Sequence, residues 1–254
     1  MTQKHLDALR SSVDRLRAIA TPIADADLTQ PAYPTEWSIA DVLSHLGSGA
    51  VITQGRLDDV LAGRATPDDF APGVWSEWNA KSPAAQRHDA LEADAALLAA
   101  LEAVPVEDRE RATFTMGPMT LGFSEFVGMR LNEHAFHTWD IEVVGDPVAT
   151  LPPQVTDLVV DNLALIARFT ARPQGGARTI TVTTTAPDRA FIIKLRPDSA
   201  TLQPAATSTD VDADVALPSE TFARLVYGRL TPRDTAHEQS AEQLNTLRRV
   251  FPGP

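Results

Sequence analysis

The sequence contains no cysteine. That excludes disulfides, thiolate metal ligands and a cysteine nucleophile, so any thiol chemistry needs a thiol from outside the chain. No apolar stretch approaches the roughly 20 residues of a membrane-spanning helix. The first residues, MTQKHLDALRSSVDRL, are charged and amphipathic and lack the apolar segment of a signal peptide. A cytoplasmic protein is therefore expected. There is no Gly-rich phosphate loop, nucleophile elbow or dinucleotide fingerprint, and no internal repeat or low-complexity tract. Positive charge is scarce in the first part: residues 1–150 hold 11 Lys+Arg against 23 Asp+Glu, whereas residues 151–254 hold 11 of each. An acidic first part disfavours a nucleic-acid backbone or an anionic membrane as partner. Most of these carboxylates are expected on solvated helix faces.

What is present suffices for two small domains. The chain has 254 residues, of which 43% are hydrophobic, enough for a sizeable core. Leu6, Leu9, Val13, Leu16 and Ile19 recur at helical spacing and predict a first helix over about 3–20. Ser38 with Asp41 three residues on reads as a capping box. It opens a second helix from Ser38 to about Leu61, whose apolar face uses Ile39, Val42, Leu43 and Leu46. Gly47, Gly49 and Gly55 weaken that helix by about 1 kcal/mol each relative to Ala and suggest close approach of another helix or a ligand. Residues 63–73 read as loop. A third helix is expected over Ala84–Val104, an extended stretch over 112–120, and a fourth helix over about Leu121–Val144, stopped by Gly145-Asp146-Pro147. Beyond Pro147 the pattern changes. One helix is predicted over Pro152–Thr170, and strands over Arg178–Thr185, Phe191–Leu195, around Thr201 and over Val211–Leu217. Helices from Pro218 to about Tyr227 and over Asp234–Val250 complete the chain. The fold class is α+β: an N-terminal antiparallel four-helix bundle over 1–149, then a small α+β domain over 150–254 with a mostly antiparallel sheet.

Six histidines exist: His5, His45, His88, His134, His137 and His237. Glu133 and His137 lie four apart on the fourth helix, a carboxylate and an imidazole on one face a turn apart. Helix bundles build metal sites from such pairs, with a further ligand from a facing helix. His45, beside the apolar face of the second helix, is that candidate. Two imidazoles and one carboxylate with an open position match a catalytic zinc site more than a structural one. The same spacing also occurs as an ordinary exposed ion pair, and a lone helical histidine is often a hydrogen-bonded, half-buried residue. His134 competes for the ligand role. On an ideal wheel Glu133 and His137 stand about 40° apart, against about 60° for His134 and His137, so Glu133 is preferred and His134 is expected at the bundle edge or near the domain junction. Asp140, one turn after His137, is a candidate for orienting a ligand imidazole or a plain surface acid. Arg130, one turn before Glu133, is placed either to hold an anionic group of a substrate or cosubstrate or to salt-bridge an acid. Trp75 and Trp78 are packing residues or line a pocket mouth.

The residues Trp37, Ser38, Asp41, His45 and Leu46, together with Glu133, His137, Asp140 and Ile141, resemble the mycothiol-dependent maleylpyruvate isomerase family of the DinB-like metal-binding four-helix-bundle superfamily. The segment Leu225–Arg229 resembles that family's C-terminal domain, which is similar to sterol-carrier-type folds. The resemblance implies a metal site at His45, Glu133 and His137 that receives a low-molecular-weight thiol, typically the mycothiol of actinobacteria. It makes Arg229 the substrate-side arginine, a catalytic and cofactor-binding candidate with Asp140 and Arg130. A second arginine of this kind in the first domain aligns equally with Arg56, Arg64 or Arg87. The implied activity is S-transfer to an electrophilic small molecule, or thiol-dependent cis–trans isomerisation of maleylpyruvate type, by a monomer or homodimer. Zinc lowers the pKa of a bound thiol and holds it as thiolate; nickel, iron and manganese remain open. Two other functions compete. A metal-dependent hydrolase needs a general base outside the ligands, for which Asp140 is the candidate. A non-catalytic protein would bind an apolar small molecule in its second domain.

Overall fold

The computed structural model describes residues 2–117, 119–205, 213–231, 234 and 241–253. The chain divides into two compact units, Met1–Thr150 and Leu151–Pro254. No helix among the described residues is long and apolar enough to cross a membrane.

The first unit runs α1 (Thr2–Ala20), α2 (Ile39–Leu61), α3 (Phe70–Asn79), α4 (Pro83–Ala103), α5 (Val106–Arg111), the hairpin strands β1 (Thr113–Met116) and β2 (Met119–Gly122), and α6 (Phe123–Gly145). The four long helices pack as a bundle, α1 on α4 and α6 and α2 on the same two. The apolar positions read from the sequence form its core: Leu16, Val42, Leu43, Leu46 and Ile141 are at most 6% exposed, closed by Leu28 and Trp78. Ser38 caps α2 as expected. Its Oγ accepts from Asp41 N at 3.1 Å, and Asp41 Oδ2 accepts from Ser38 N at 2.9 Å. α6 carries buried side chains around its whole circumference, from Phe126 and Leu131 to Trp139 and Ile141, as a helix enclosed by neighbours must.

Two short helices lie where the sequence suggests loop or gives no signal. α3 begins inside the stretch read as a loop, because Pro72 falls in its first turn, where an N–H is not needed. Trp78 of α3 is buried and Trp75 is half-exposed. The Trp78 ring occupies the gap left by Gly47: a Cβ at Gly47 would stand 2.2 Å from that ring and 2.8 Å from the Ala90 Cα of α4. Close helix approach therefore explains this glycine. Gly55 likewise leaves room for Phe70, whose ring would lie 2.5 Å from a Cβ there.

The second unit begins with α7 (Pro153–Val159) and α8 (Leu163–Thr170), separated by a 3-10 turn over Val160–Asn162. One continuous helix was expected. Asp161 and Asn162 are weak helix formers, and Asp161 instead takes a two-pronged ion pair from Arg189 at 2.7 and 3.2 Å. A four-stranded sheet follows in the order β5-β4-β3-β6, from β3 (Arg178–Thr185), β4 (Arg189–Leu195), β5 (Ala200–Ala205) and β6 (Val215–Pro218). Its pairings are antiparallel except β3 with β6, so the sheet is mostly antiparallel. α9 (Ser219–Val226) and α10 (Ala241–Val250) complete the unit. The expected strand start at Val211, most of the first turns of the expected last helix, and His237 lie outside the described residues.

Within α9, Arg224 is buried between two acids. It donates to Asp234 through both terminal nitrogens at 2.7 Å and to Glu220 through Nε at 2.6 Å. Burial pushes the Asp234 carboxyl up, but the hydrogen bonds and charge of Arg224, with the Thr231 N–H, outweigh it and hold the value below the ordinary one. A carboxyl lowered in the folded state stabilises above its unfolded pKa, about 4, and loses that stabilisation as pH falls through the folded value.

Two outcomes follow. Gly47→Ala lowers stability by about 1–3 kcal/mol through overpacking against α4, read from the urea midpoint; an unchanged midpoint contradicts the close approach. Asp234→Asn lowers the unfolding midpoint at pH 7, and its deficit against wild type shrinks as pH falls below about 4. A deficit that is constant with pH contradicts the ion-pair account.

Candidate metal centre

α2 and α6 each bring ligands to one place. His45 projects from the second turn of α2, whose start the capping box fixes. Glu133 and His137 project one turn apart from the middle of α6. His45 Nε2 stands 3.3 Å from Glu133 Oε2, and His137 Nε2 stands 3.7 Å from the same oxygen. The two imidazole centroids are 4.5 Å apart. One donor atom from each of the three residues lies within 4.8 Å of the others. Two ligands about 2.0–2.1 Å from a tetrahedral ion stand about 3.3 Å apart. The carboxylate–imidazole distances are thus close to those of a bound state. The donor chemistry also fits: two neutral imidazoles and an anionic oxygen suit a divalent cation of zinc type.

The electrostatics hold the carboxylate ready. Burial pushes the Glu133 carboxyl up, but the hydrogen bond with His45 and the charges of His137, His45 and Arg130 outweigh it and hold it at about 2. Glu133 is therefore an anion at neutral pH. Asp140 is fully buried and its Oδ2 meets His137 Nδ1 at 2.9 Å. A proton on Nδ1 directed at Asp140 leaves the Nε2 lone pair facing Glu133 and the ligand position. The Asp140 backbone carbonyl accepts from Tyr33 N at 3.0 Å, which ties the loop before α2 to α6. The carboxylate is thus sealed from solvent and placed against the His137 imidazole.

Trp37, which the sequence marks only as the first residue of the motif shared with the resembled family, packs beside the two imidazoles. Its ring lies 5.3 Å from His45 and stacks at 5.8 Å on His137. The detectable signal was its position just before the N-cap, where an apolar side chain folds back on the helix it precedes. The His45 and Glu133 side chains are 37% and 46% exposed, so an exogenous group can reach the ligand position.

The remaining candidates sit as follows. His134, expected at the bundle edge or near the domain junction, is fully buried. Its two ring nitrogens are occupied by Ser12 Oγ at 2.8 Å and Asp94 Oδ2 at 3.2 Å. The correction has a physical cause: Asp94 on α4 supplies a buried partner that helical periodicity cannot reveal. Arg130 pairs with an acid, Asp94, at 2.5 Å. Arg64 pairs with Asp59, and Arg87 holds the Ile23 carbonyl and Asp25. Arg56 and Arg64 line a cavity of about 520 Å³ bounded by Phe70 and Phe114, which contains none of the three ligands. In the second unit Arg229 is buried, and its Nη1 donates to the Tyr227 carbonyl at 2.9 Å.

Residues 9–142 match the family model described as the mycothiol maleylpyruvate isomerase N-terminal domain. Two solved structures have the same fold. One is a crystal structure of the mycothiol-dependent maleylpyruvate isomerase, 15% identical with a TM-score of 0.67. The other is a histidine-to-alanine mutant of that isomerase, 14% identical with the same TM-score. Each alignment covers 93% of this chain and 92% of the other. No curated protein matches the sequence.

The geometry predicts one tightly bound divalent ion per chain after metal loading, lost in His45→Ala. Asp140→Asn, which keeps the ligands but not the orienting charge, weakens metal affinity about 10- to 100-fold. Competition with a chromogenic chelator measures both. Unchanged metal stoichiometry in His45→Ala contradicts this ligand set.

Proposed function

The chain belongs to the family of the mycothiol maleylpyruvate isomerase N-terminal domain, and on that premise we propose that it is a metal-dependent enzyme using a low-molecular-weight thiol, of mycothiol type, to act on a small electrophile. The observation that carries this reading is the convergence of His45, Glu133 and His137 within 4.8 Å on a half-exposed face, in a chain with no cysteine. A thiol nucleophile must then come from outside, and the three donors are suited to the ion that would activate it.

A divalent cation there would lower the pKa of an incoming thiol and hold it as thiolate at neutral pH. Zinc is the ion we favour for this donor set. The protein's own part is to place and to protect. Glu133 supplies the fixed negative charge. Asp140 keeps the His137 tautomer with Nε2 free. Trp37 covers the imidazoles on one side and excludes water from them. With an α,β-unsaturated substrate such as maleylpyruvate, the thiolate adds to a carbon of the cis double bond. The electron pair moves onto the conjugated carbonyl, and rotation occurs about the resulting single bond. Return of that pair expels the thiolate and leaves the trans isomer, with no net gain or loss of atoms. If the thiolate stays attached and the carbanion is protonated, the same first step gives S-transfer. Arg229 is our candidate for holding a substrate carboxylate, since a guanidinium matches that group with two parallel hydrogen bonds.

The test is turnover of maleylpyruvate by metal-loaded protein with and without mycothiol, followed by the ultraviolet change on isomerisation. Turnover is expected only with thiol, and Arg229→Met raises KM for the dicarboxylate while metal content stays at wild-type level. Equal turnover without thiol contradicts the proposal and favours hydrolysis.

A further inference from the structure

One cluster of buried ionisable groups in the first unit lies behind the three ligands, and only the charge of Arg130 has entered the account so far. Arg130, Asp94 and His134 are 6%, 1% and 0% exposed. Asp94 uses both oxygens, one for Arg130 Nη2 at 2.5 Å and one for His134 Nε2 at 3.2 Å. His134 Nδ1 meets Ser12 Oγ at 2.8 Å and Thr138 Oγ1 at 3.3 Å. Ser12, His134 and Asp94 stand in the order of a nucleophile, base and acid, but all three are sealed from solvent. Their role is structural.

The cluster's position is the informative part. Arg130 Nη2 also donates to the Leu46 carbonyl at 2.8 Å. Leu46 follows His45 directly on α2, and Arg130 lies one turn before Glu133 on α6. A single guanidinium therefore links the backbone beside one metal ligand to the helix that carries the other two. Asp94 of α4 anchors the same guanidinium and also His134, which Ser12 of α1 meets on its other nitrogen, so all four bundle helices meet at this level. α2 is shaped to admit it. A Cβ at Gly49, one turn after His45, would lie 2.8 Å from Arg130 Nη1. A glycine that weakens a helix interior by about 1 kcal/mol is matched here by room for the guanidinium.

We propose that Arg130, clamped by Asp94, is a positioning residue for the metal centre: it sets the separation of α2 and α6 and so holds His45 Nε2 3.3 Å from Glu133 Oε2. Apolar packing alone lets helices slide by small distances at little energetic cost. A ligand set has to be held to within about 0.5 Å, and a buried, directional hydrogen bond to a backbone carbonyl supplies that stiffness. The inference rests on the metal reading above.

The experiment measures zinc affinity by chelator competition, and the cobalt absorption spectrum, in wild type, Arg130→Met, Arg130→Lys and Gly49→Ala. Circular dichroism reports folding in parallel. Arg130→Met and Gly49→Ala are expected to weaken zinc binding about tenfold or more and to shift the cobalt bands while helix content is retained. Arg130→Lys keeps the charge and one hydrogen bond and recovers part of the affinity. If Arg130→Met fails to fold, because it strands Asp94, Gly49→Ala decides alone, since it leaves every charge in place. Folded variants with wild-type zinc affinity and cobalt spectrum overturn this inference and leave the metal reading intact. A wild-type chain that binds no stoichiometric metal overturns both.

Discussion

The carboxylate of Glu133 lies between two imidazoles carried by different helices, and the first unit is arranged around keeping it there. A half-exposed carboxylate beside the apolar faces of α6 gains from being paired on its protein side. His45 and His137 supply the pairing in the absence of an ion, and they hold Glu133 ionised at about 2 against the effect of burial. The same three donors leave a position open to solvent. Pairing and metal binding thus place the same demand on the fold: two helices must cross with their polar atoms about 3 Å apart.

That demand is met from behind the site rather than within it. The α2 register is fixed at its start by the Ser38–Asp41 cap. The α2–α4 distance is fixed by the missing side chain of Gly47, which lets Trp78 and Ala90 approach. The α6 orientation is held by Asp94 through Arg130 and His134. Arg130 and Asp94 are buried charges, costly to strand once one partner is lost. A bundle with such a network admits fewer alternative packings than an apolar one, a hypothesis that agrees with the known use of buried polar groups to specify register.

Much of this was legible in the sequence because it is local. The cap of α2, the four-residue step from Glu133 to His137 and the three-residue step from His137 to Asp140 are all properties of one helix. Periodicity marks them directly. The alternating stretches of the second unit gave β3 and β4 for the same reason. What was not legible depends on partners far away in sequence. His134 reads as an edge residue until Asp94 and Ser12 arrive from α4 and α1. Arg130 reads equally as a substrate ligand or an ion-pair partner until Asp94 selects the second. Gly49 reads as room for an unnamed helix or ligand until the Arg130 guanidinium is seen in its place. The helix over 153–170 breaks because Asp161 pairs with Arg189 on a strand. Trp37 sits outside the helix it precedes, so no wheel places it over the imidazoles.

On this reading one divalent ion sits on two imidazoles and one carboxylate with a fourth position for a thiol. X-ray absorption at the metal edge of zinc-loaded protein, recorded before and after adding mycothiol, tests it most directly. The account predicts about four light scatterers at about 2.0–2.1 Å with the multiple-scattering pattern of two imidazoles, one of them replaced on thiol addition by sulfur at about 2.3 Å. A shell without imidazole scattering, or one that takes up no sulfur, would contradict it.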